Sequence, residues 1–379
     1  MTTPAACRSL YVHVPQCAAR CGYCDFYSEV ADPQLARPLV DALLHELRNH
    51  AAAHPLEFDT IFVGGGTPTV LPPAELARLL AGLHEFADSA AVEFTVEANP
   101  ASVAMETTAA LVTAGVNRVS LGAQSFNAAE LRVLERGHTP DQIGQTIAMC
   151  REAGLRCFSL DLIFGIPGQT LASWRASLNA AVALEPVHLS CYGLTFEPRT
   201  RLSQQRAVGQ VVSVDPDTEA DMYELAMEIL PAAALTQYEI SNFAQPTYEC
   251  RHNLRYWHNE PCIGIGPSAA GLIDELRYRN VADIAAYLKA VEGGHSPRES
   301  EECLPPERRM RETAMLELRL VEGLDRARFR RRYAIDPVEL FSSTIRRHVA
   351  DGLLNVDERG IRLTRRGRML GDRVMADFL

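Results

Sequence analysis

Tyr11-Val-His-Val-Pro-Gln-Cys17-Ala-Ala-Arg-Cys21-Gly-Tyr-Cys24-Asp-Phe-Tyr27 is the stretch on which the fold turns. It sets Cys17, Cys21 and Cys24 at C-x3-C-x2-C spacing directly after an alternating β-type run, with no fourth cysteine nearby. Four thiolates fill every corner of a [4Fe–4S] cluster; three leave one iron open to an outside ligand, which a cluster needs if it is to bind and reduce a substrate. Zinc is the competing reading, with His13, four residues before Cys17 on an extended segment, as the fourth donor. Three buried filler cysteines at this spacing in a Gly/Ala-containing loop would be an odd coincidence.

Outward from this loop the chain repeats one unit. β-type runs stand at Ser9–Pro15, Thr60–Gly65, Glu93–Asn99, Arg118–Gln124, Cys157–Gly165 and His188–Thr195. Amphipathic segments lie between them, as where Leu35, Leu39, Leu43 and Leu47, or Leu76, Leu80 and His84, recur every four residues. Thr139 before Pro140, with Gln142 three residues on, reads as a capping box, and Gly154 closes that helix. Six β-then-α units in series predict an α/β fold with parallel strands and right-handed crossovers. An open sheet and a partial barrel both satisfy the pattern, and both collect chemistry at the C-terminal ends of their strands.

After Thr195 the pattern changes. An acidic helix is expected from Asp215 (cap) and Pro216 to about Leu230, then an irregular segment over Tyr238–Gly271. From about Pro305 a small domain is expected: a helix Glu307–Leu320, Gly323-Leu-Asp, a helix through Arg332, a helix from Pro337 to Asp351 and a hairpin over Leu353–Leu363, a winged-helix-like arrangement. The division expected is 1–235, a connecting segment 236–300, and 301–379. Residues 326–379 hold thirteen Arg against seven Asp/Glu, which suits a nucleic-acid-binding wing, a surface packed on the acidic barrel or a simply solvated face, the last two favoured.

Composition narrows the function classes. At 379 residues with 47% apolar content, the chain can build a large α/β core and a smaller unit. A net charge of −11 argues against a general nucleic-acid binder, and with it against an RNA-modifying module. Residues 1–7 carry no apolar leader, and no apolar run reaches the roughly 18 residues a membrane-spanning helix needs, so a soluble cytoplasmic protein without a transmembrane segment is expected. The reducing cytosol would keep the ten cysteines as thiols, with Cys7, Cys150, Cys157 and Cys303 packing as small hydrophobes. The only lysine, Lys289, stands outside the barrel strands, which excludes a Schiff-base mechanism there.

Further candidates fall at strand ends. Gly64-Gly-Gly-Thr-Pro68 closes the second run and exposes backbone to close approach by a ligand. Glu97 ends the third, Gln124 the fourth, and Arg136 follows in Leu-Glu-Arg-Gly-His-Thr139. Asp161 lies inside the apolar fifth run, where a carboxylate is costly without a ligand hydroxyl or an Arg as partner. Tyr11 shares a strand face with His13 and can line the cavity. The order and spacing of these elements over residues 9 to about 200 resemble the radical S-adenosylmethionine (SAM) proteins. The resemblance implies a partial (β/α)6 TIM-like barrel and a [4Fe–4S] cluster on the three Cys. It also implies SAM held by Tyr11, Gly65, Gly66, Thr67, Glu97, Gln124, Arg136 and Asp161. It further implies one-electron reduction of the sulfonium, giving methionine and a 5′-deoxyadenosyl radical, chemistry that the cofactor supplies and the protein shields. No catalytic side chain beyond these is assigned.

Within that superfamily the chain resembles, through its C-terminal domain, the relatives of oxygen-independent coproporphyrinogen III oxidase. Two departures point to the haem-chaperone branch. Phe26 stands where the oxidase has an additional cysteine, and only sixteen residues precede Cys17 where the oxidase has a longer segment. His252-Asn-Leu-Arg-Tyr-Trp257 matches the H-N-x-x-Y-W motif of that branch. The resemblance implies haem binding by His252, Asn253, Tyr256 and Trp257, with His an axial ligand and the rings against the porphyrin. It also implies delivery of haem to a respiratory client at the membrane, without coproporphyrinogen oxidase activity. The alternative is the oxidase itself, converting coproporphyrinogen III to protoporphyrinogen IX. Chemistry alone favours His252 and its aromatics packing beneath the barrel, an order that the motif match reverses; Cys250, His252 and Cys262 could hold a metal, and Cys191 and Tyr192 could face a ligand or the core.

Overall fold

The alternating run before the cysteines forms strand β1 (Cys7–Val14) of a nine-stranded sheet in the computed structural model, which describes residues 7–87 and 92–379. Strands β2 (Leu56–Gly65), β3 (Glu93–Ala98), β4 (Arg118–Gln124), β5 (Cys157–Phe164) and β6 (His188–Gly193) follow it as parallel neighbours in chain order. Between them run helices α1 (Pro33–Ala53), α2 (Pro73–His84), α3 (Met105–Thr113), α4 (Pro140–Glu152) and α5 (Leu171–Ala183), and α6 (Pro216–Ile229) follows β6. Each helix lays an apolar stripe on the sheet: Leu39, Leu43 and Leu47 of α1 and Leu76, Leu79 and Leu83 of α2 are fully buried in one core. Local signals set the ends, with Thr139 and Gln142 making the capping box of α4 and Asp215 capping α6. The reading of residues 1–6 as free of an apolar leader lies outside the described residues.

The segment expected to be irregular is ordered. Within it β7 (Asn242–Ala244) adds antiparallel to β6, helix α7 (Arg251–Trp257) follows, and β8 (Ile263–Ile265) adds parallel to β1. Both edges of the six-unit barrel are thereby extended, and among the described residues they do not pair with each other. Strands of three residues are too short for their alternation to be legible in the sequence. Three further strands, β9 (Ala270–Ile273), β10 (Leu276–Asn280) and β11 (Arg298–Cys303), make a small antiparallel sheet, and α8 (Ile284–Glu292), between β10 and β11, carries Lys289. Cys303 is exposed on β11 rather than packed as a small hydrophobe.

The C-terminal unit has its own core, with Leu324, Phe329, Phe341, Ile345 and Phe378 buried together. Helices α9 (Pro306–Glu317) and α10 (Arg326–Tyr333) precede what was expected as one helix and is two, Pro337–Leu340 and α11 (Ser342–Ala350). They break at Phe341, whose ring packs on Phe378 at 5.0 Å between centroids. The wing is a three-stranded sheet of Leu324–Asp325, Leu354–Val356 and Gly360–Leu363. Much of its arginine charge is consumed locally: Arg326 and Arg330 hold Asp336, Arg328 holds Glu317, and Arg365 reaches Glu228 of α6 at 3.6 Å. Among the described residues no helix is long and apolar enough to cross a membrane.

Candidate functional site

Parallel strands bring the C-terminal ends of β1 to β6 to one edge, and the cysteine loop leaves β1 there. The loop is pinned by backbone: Gly22 N–H donates to the Leu134 carbonyl (3.3 Å), and Leu202 N–H donates to the Gly22 carbonyl (2.9 Å). Cys17, Cys21 and Cys24 are all free and half-buried. Cys17 Sγ lies 3.6 Å from Thr67 Oγ1, and Cys21 Sγ accepts a hydrogen bond from Arg136 at 3.4 Å. Burial pushes the Cys24 thiol up to about 11, so this thiol calls for a bound cation before it ionises. The donor set fits a cluster: three thiols share one loop, a guanidinium stands beside one of them, and Arg136 Nε is buried with no partner among the described residues. His13 is not free to complete a zinc site. Its Nε2 can only donate to the Tyr27 carbonyl (3.0 Å), which leaves Nδ1 to accept from Tyr11 O–H (3.0 Å).

The glycine turn packs into this edge. Gly65 has φ +96°, and a Cβ there would meet the His13 imidazole at 2.5 Å, so only glycine fits both the conformation and the space. Its N–H donates to Glu97 Oε2 at 3.1 Å. Burial, with the charge of Asp161, pushes the Glu97 carboxyl up to about 8. Gln124, buried at φ 62° where β4 is irregular, and Arg136 flank Gly122, whose carbonyl accepts from Arg136 at 2.6 Å.

Below that edge the barrel is polar inside. Thr95 and Glu97 on β3, Arg118 and Ser120 on β4, Ser159 and Asp161 on β5, and His188, Ser190 and Tyr192 on β6 stand two apart and, with Tyr11 and Phe62, line a cavity of about 180 Å³. Eight-stranded barrels fill this space with branched apolar side chains. Asp161 differs from expectation, because its partners are two protein hydroxyls: Ser190 Oγ donates at 2.7 Å and Ser120 Oγ at 3.0 Å. Burial still raises its pKa. Of the residues read from the sequence, Tyr11, Glu97 and Asp161 meet in the cavity, while Gly65, Gly66, Thr67, Arg136 and the cysteines meet at the edge above it. Tyr192 faces the cavity and Cys191 the core, as alternation along a strand requires.

The H-N-x-x-Y-W segment lies at the opposite end of the barrel. Its helix, α7, starts against Glu93, the first residue of β3, whose carboxylate accepts from the N–H groups of Arg251 and His252, each at 3.0 Å. His252 is buried, with Nδ1 3.1 Å from Thr60 Oγ1 and Nε2 3.2 Å from Tyr256 O–H. Burial drives its pKa down to about 3. Both ring nitrogens are engaged. His252, Asn253 and Tyr256 line the lower part of the same barrel cavity. Trp257 does not join them; the Arg319 guanidinium covers its ring at 4.4 Å. Cys250 and Cys262 bond separately, to Glu93 and Tyr256, and among the described residues no three His, Cys, Asp or Glu side chains are grouped to hold a single metal ion.

Sequence reasoning missed Ser120, Ser190, His188, Arg118 and Glu93. Their signal was present as polar residues two apart inside otherwise apolar strands, which marks a polar barrel interior. Glu93 and Arg118 pair at 2.8 Å, both buried, and Arg118 also donates to the Tyr248 carbonyl.

Known proteins resemble this chain over nearly its whole length. Residues 11–181 match the Radical SAM superfamily and residues 304–370 match the HemN C-terminal domain. The chain is 36% identical to the heme chaperone HemW of Bacillus subtilis, over 98% of this chain and 99% of that protein. It is 34% identical to the HemW of Lactococcus lactis, over 98% and 97%. The structure of coproporphyrinogen III oxidase (HemN) from Escherichia coli, described as a radical SAM enzyme, superposes with a TM-score of 0.85 at 25% identity, covering 98% of this chain and 90% of that one.

Proposed function

The chain belongs to the HemW family of radical SAM proteins, and from that premise we propose that it binds haem and passes it to a client, a respiratory enzyme at the membrane, from the cytoplasm. The observation that carries this reading is likeness along the whole chain to relatives named heme chaperones. Phe26, in place of the oxidase's additional cysteine, supports it.

Membership of the superfamily implies a [4Fe–4S] cluster and SAM. In this reading Cys17, Cys21 and Cys24 hold three irons and leave the fourth to SAM. When bound, the pair supplies one-electron reduction of a sulfonium. The chain's own residues position and shield it: the backbone of Gly65, Gly66 and Thr67 meets the amino acid end, and the buried Arg136, with its unpartnered Nε, pairs with a carboxylate. Gln124 flanks the same edge, Tyr11 walls the cavity, Glu97 receives an ammonium or ribose group, and Asp161, fixed by two serines, receives a hydroxyl.

The test is an anaerobic haem titration of cluster-reconstituted protein by visible absorbance, run beside an assay of coproporphyrinogen III turnover with SAM and reductant. Saturable haem binding without porphyrinogen decarboxylation is expected. Turnover to protoporphyrinogen IX, or the absence of saturable haem binding, overturns the chaperone reading.

A further inference from the structure

We propose that Arg136 holds up the reduction potential of the cluster through the N–H it donates to Cys21 Sγ, a duty separate from the carboxylate pairing assigned to its Nε. The inference rests on the reading that Cys17, Cys21 and Cys24 hold a [4Fe–4S] cluster.

The contact is fixed by the way two loops are fastened together. Arg136 follows the short helix Ala128–Val133, and the residue before it, Glu135, turns the chain at φ 55°. On one side of Cys21, Gly22 N–H donates to the Leu134 carbonyl at 3.3 Å, and a Cβ on Gly22 would meet Glu135 Cδ at 2.9 Å. On the other side, Arg201 pairs with Glu135 and donates to the Arg20 carbonyl at 2.6 Å. Residues 134 and 135 are thereby stitched to both neighbours of Cys21, which delivers Arg136 to this sulfur. Arg136 is held at both ends, its backbone N–H donating to the Leu131 carbonyl (2.9 Å) and Nη2 to the Gly122 carbonyl (2.6 Å), while Nη1 donates to Cys21 Sγ at 3.4 Å.

The charge of this guanidinium is not spent elsewhere. Arginine stays protonated, and among the described residues its side-chain partners are one neutral carbonyl and one sulfur, with no carboxylate. The sulfurs are therefore unlike one another: Cys17 Sγ has the neutral Thr67 hydroxyl at 3.6 Å, whereas Cys21 Sγ has a cation. An electron added to a cluster on thiolates increases its negative charge. A cationic N–H on one sulfur stabilises that reduced form more than the oxidised one, and the potential rises. The loop is half-buried, so water screens the interaction only in part.

Full-length, cluster-reconstituted Arg136→Gln, which removes the charge, and Arg136→Lys, which keeps it without the fork, test this beside the parent. All are measured without SAM, so that SAM affinity does not enter. Iron and sulfide content gives the loading, and a mediated redox titration followed by electron paramagnetic resonance gives the potential. At one applied potential the reduced-to-oxidised ratio in Arg136→Gln should fall about tenfold, about 59 mV for a one-electron couple, with a smaller fall in Arg136→Lys. A ratio unchanged within about twofold, or a rise, in loaded Arg136→Gln overturns the proposal. If neither variant loads its cluster, the parent decides. Arginine isotopically labelled at its guanidino nitrogens should then give a nitrogen coupling in the pulsed spectrum of the reduced cluster, and its absence overturns the proposal. A parent that takes up no iron and sulfide removes the cluster reading, and the proposal with it, before any potential is measured.

Discussion

The two ends of the barrel were marked by equally distinctive sequence motifs and differ in how many of their polar groups are bonded within the protein. The upper edge is held open for something else: three half-buried free thiols, a glycine turn without side chains, a buried guanidinium nitrogen with no partner and a carboxyl whose pKa is raised by burial. The lower end is more extensively bonded, with both His252 nitrogens engaged, Glu93 accepting from Arg118 and two backbone amides, and Trp257 covered by Arg319, although Arg118 Nε and Trp257 Nε1 are buried without a partner among the described residues. Burial perturbs titration at both ends, pushing Glu97 up to about 8 and His252 down to about 3.

Substitutions can break that contrast. The largest effect is expected at the upper edge: Cys17→Ser, Cys21→Ser or Cys24→Ser should each abolish cluster incorporation, read as iron and sulfide content, while the melting temperature of the cluster-free protein stays put. Glu93→Ala should do the reverse. It strands the buried Arg118 and uncaps helix α7, so it should cost about 3–5 kcal/mol in urea unfolding while the cysteine loop keeps its thiols. Gly65→Ala combines a left-handed backbone with a clash against His13, and should cost about 1–3 kcal/mol and lower cluster loading.

Titration sharpens the contrast further. Glu97 has its folded pKa raised to about 8 from 4.5, so the native state binds its proton more tightly than the unfolded chain does. Stability should therefore fall as pH rises from 4.5 to about 8, with the penalty fully present above that, and Glu97→Gln should flatten the slope of urea midpoint against pH over this range. An ammonium group arriving at Glu97 favours its ionised form, so SAM affinity should climb with pH and level off near 8. The smallest effect is expected far from both ends: Arg365→Ala removes an exposed contact with Glu228 at 3.6 Å and should change stability by less than about 0.5 kcal/mol.

By itself the sequence determined the six β/α units, the helix caps and the upper edge. Helical and strand periods, Thr139 with Gln142, the cysteine spacing and the glycine turn are local patterns, each legible within a dozen residues. Short strands such as Asn242–Ala244 and Ile263–Ile265 were not legible, because three residues carry too little alternation and their pairing is set by β6 and β1 far away in the chain. Only the tertiary structure decided that Asp161 is held by Ser120 and Ser190, that the barrel is polar inside, and that His252 looks inward with both ring nitrogens engaged. The physical reason is that a side chain's role depends on which of its polar atoms are already satisfied. For His252 the answer lies in Thr60, 192 residues earlier, where no local pattern reaches.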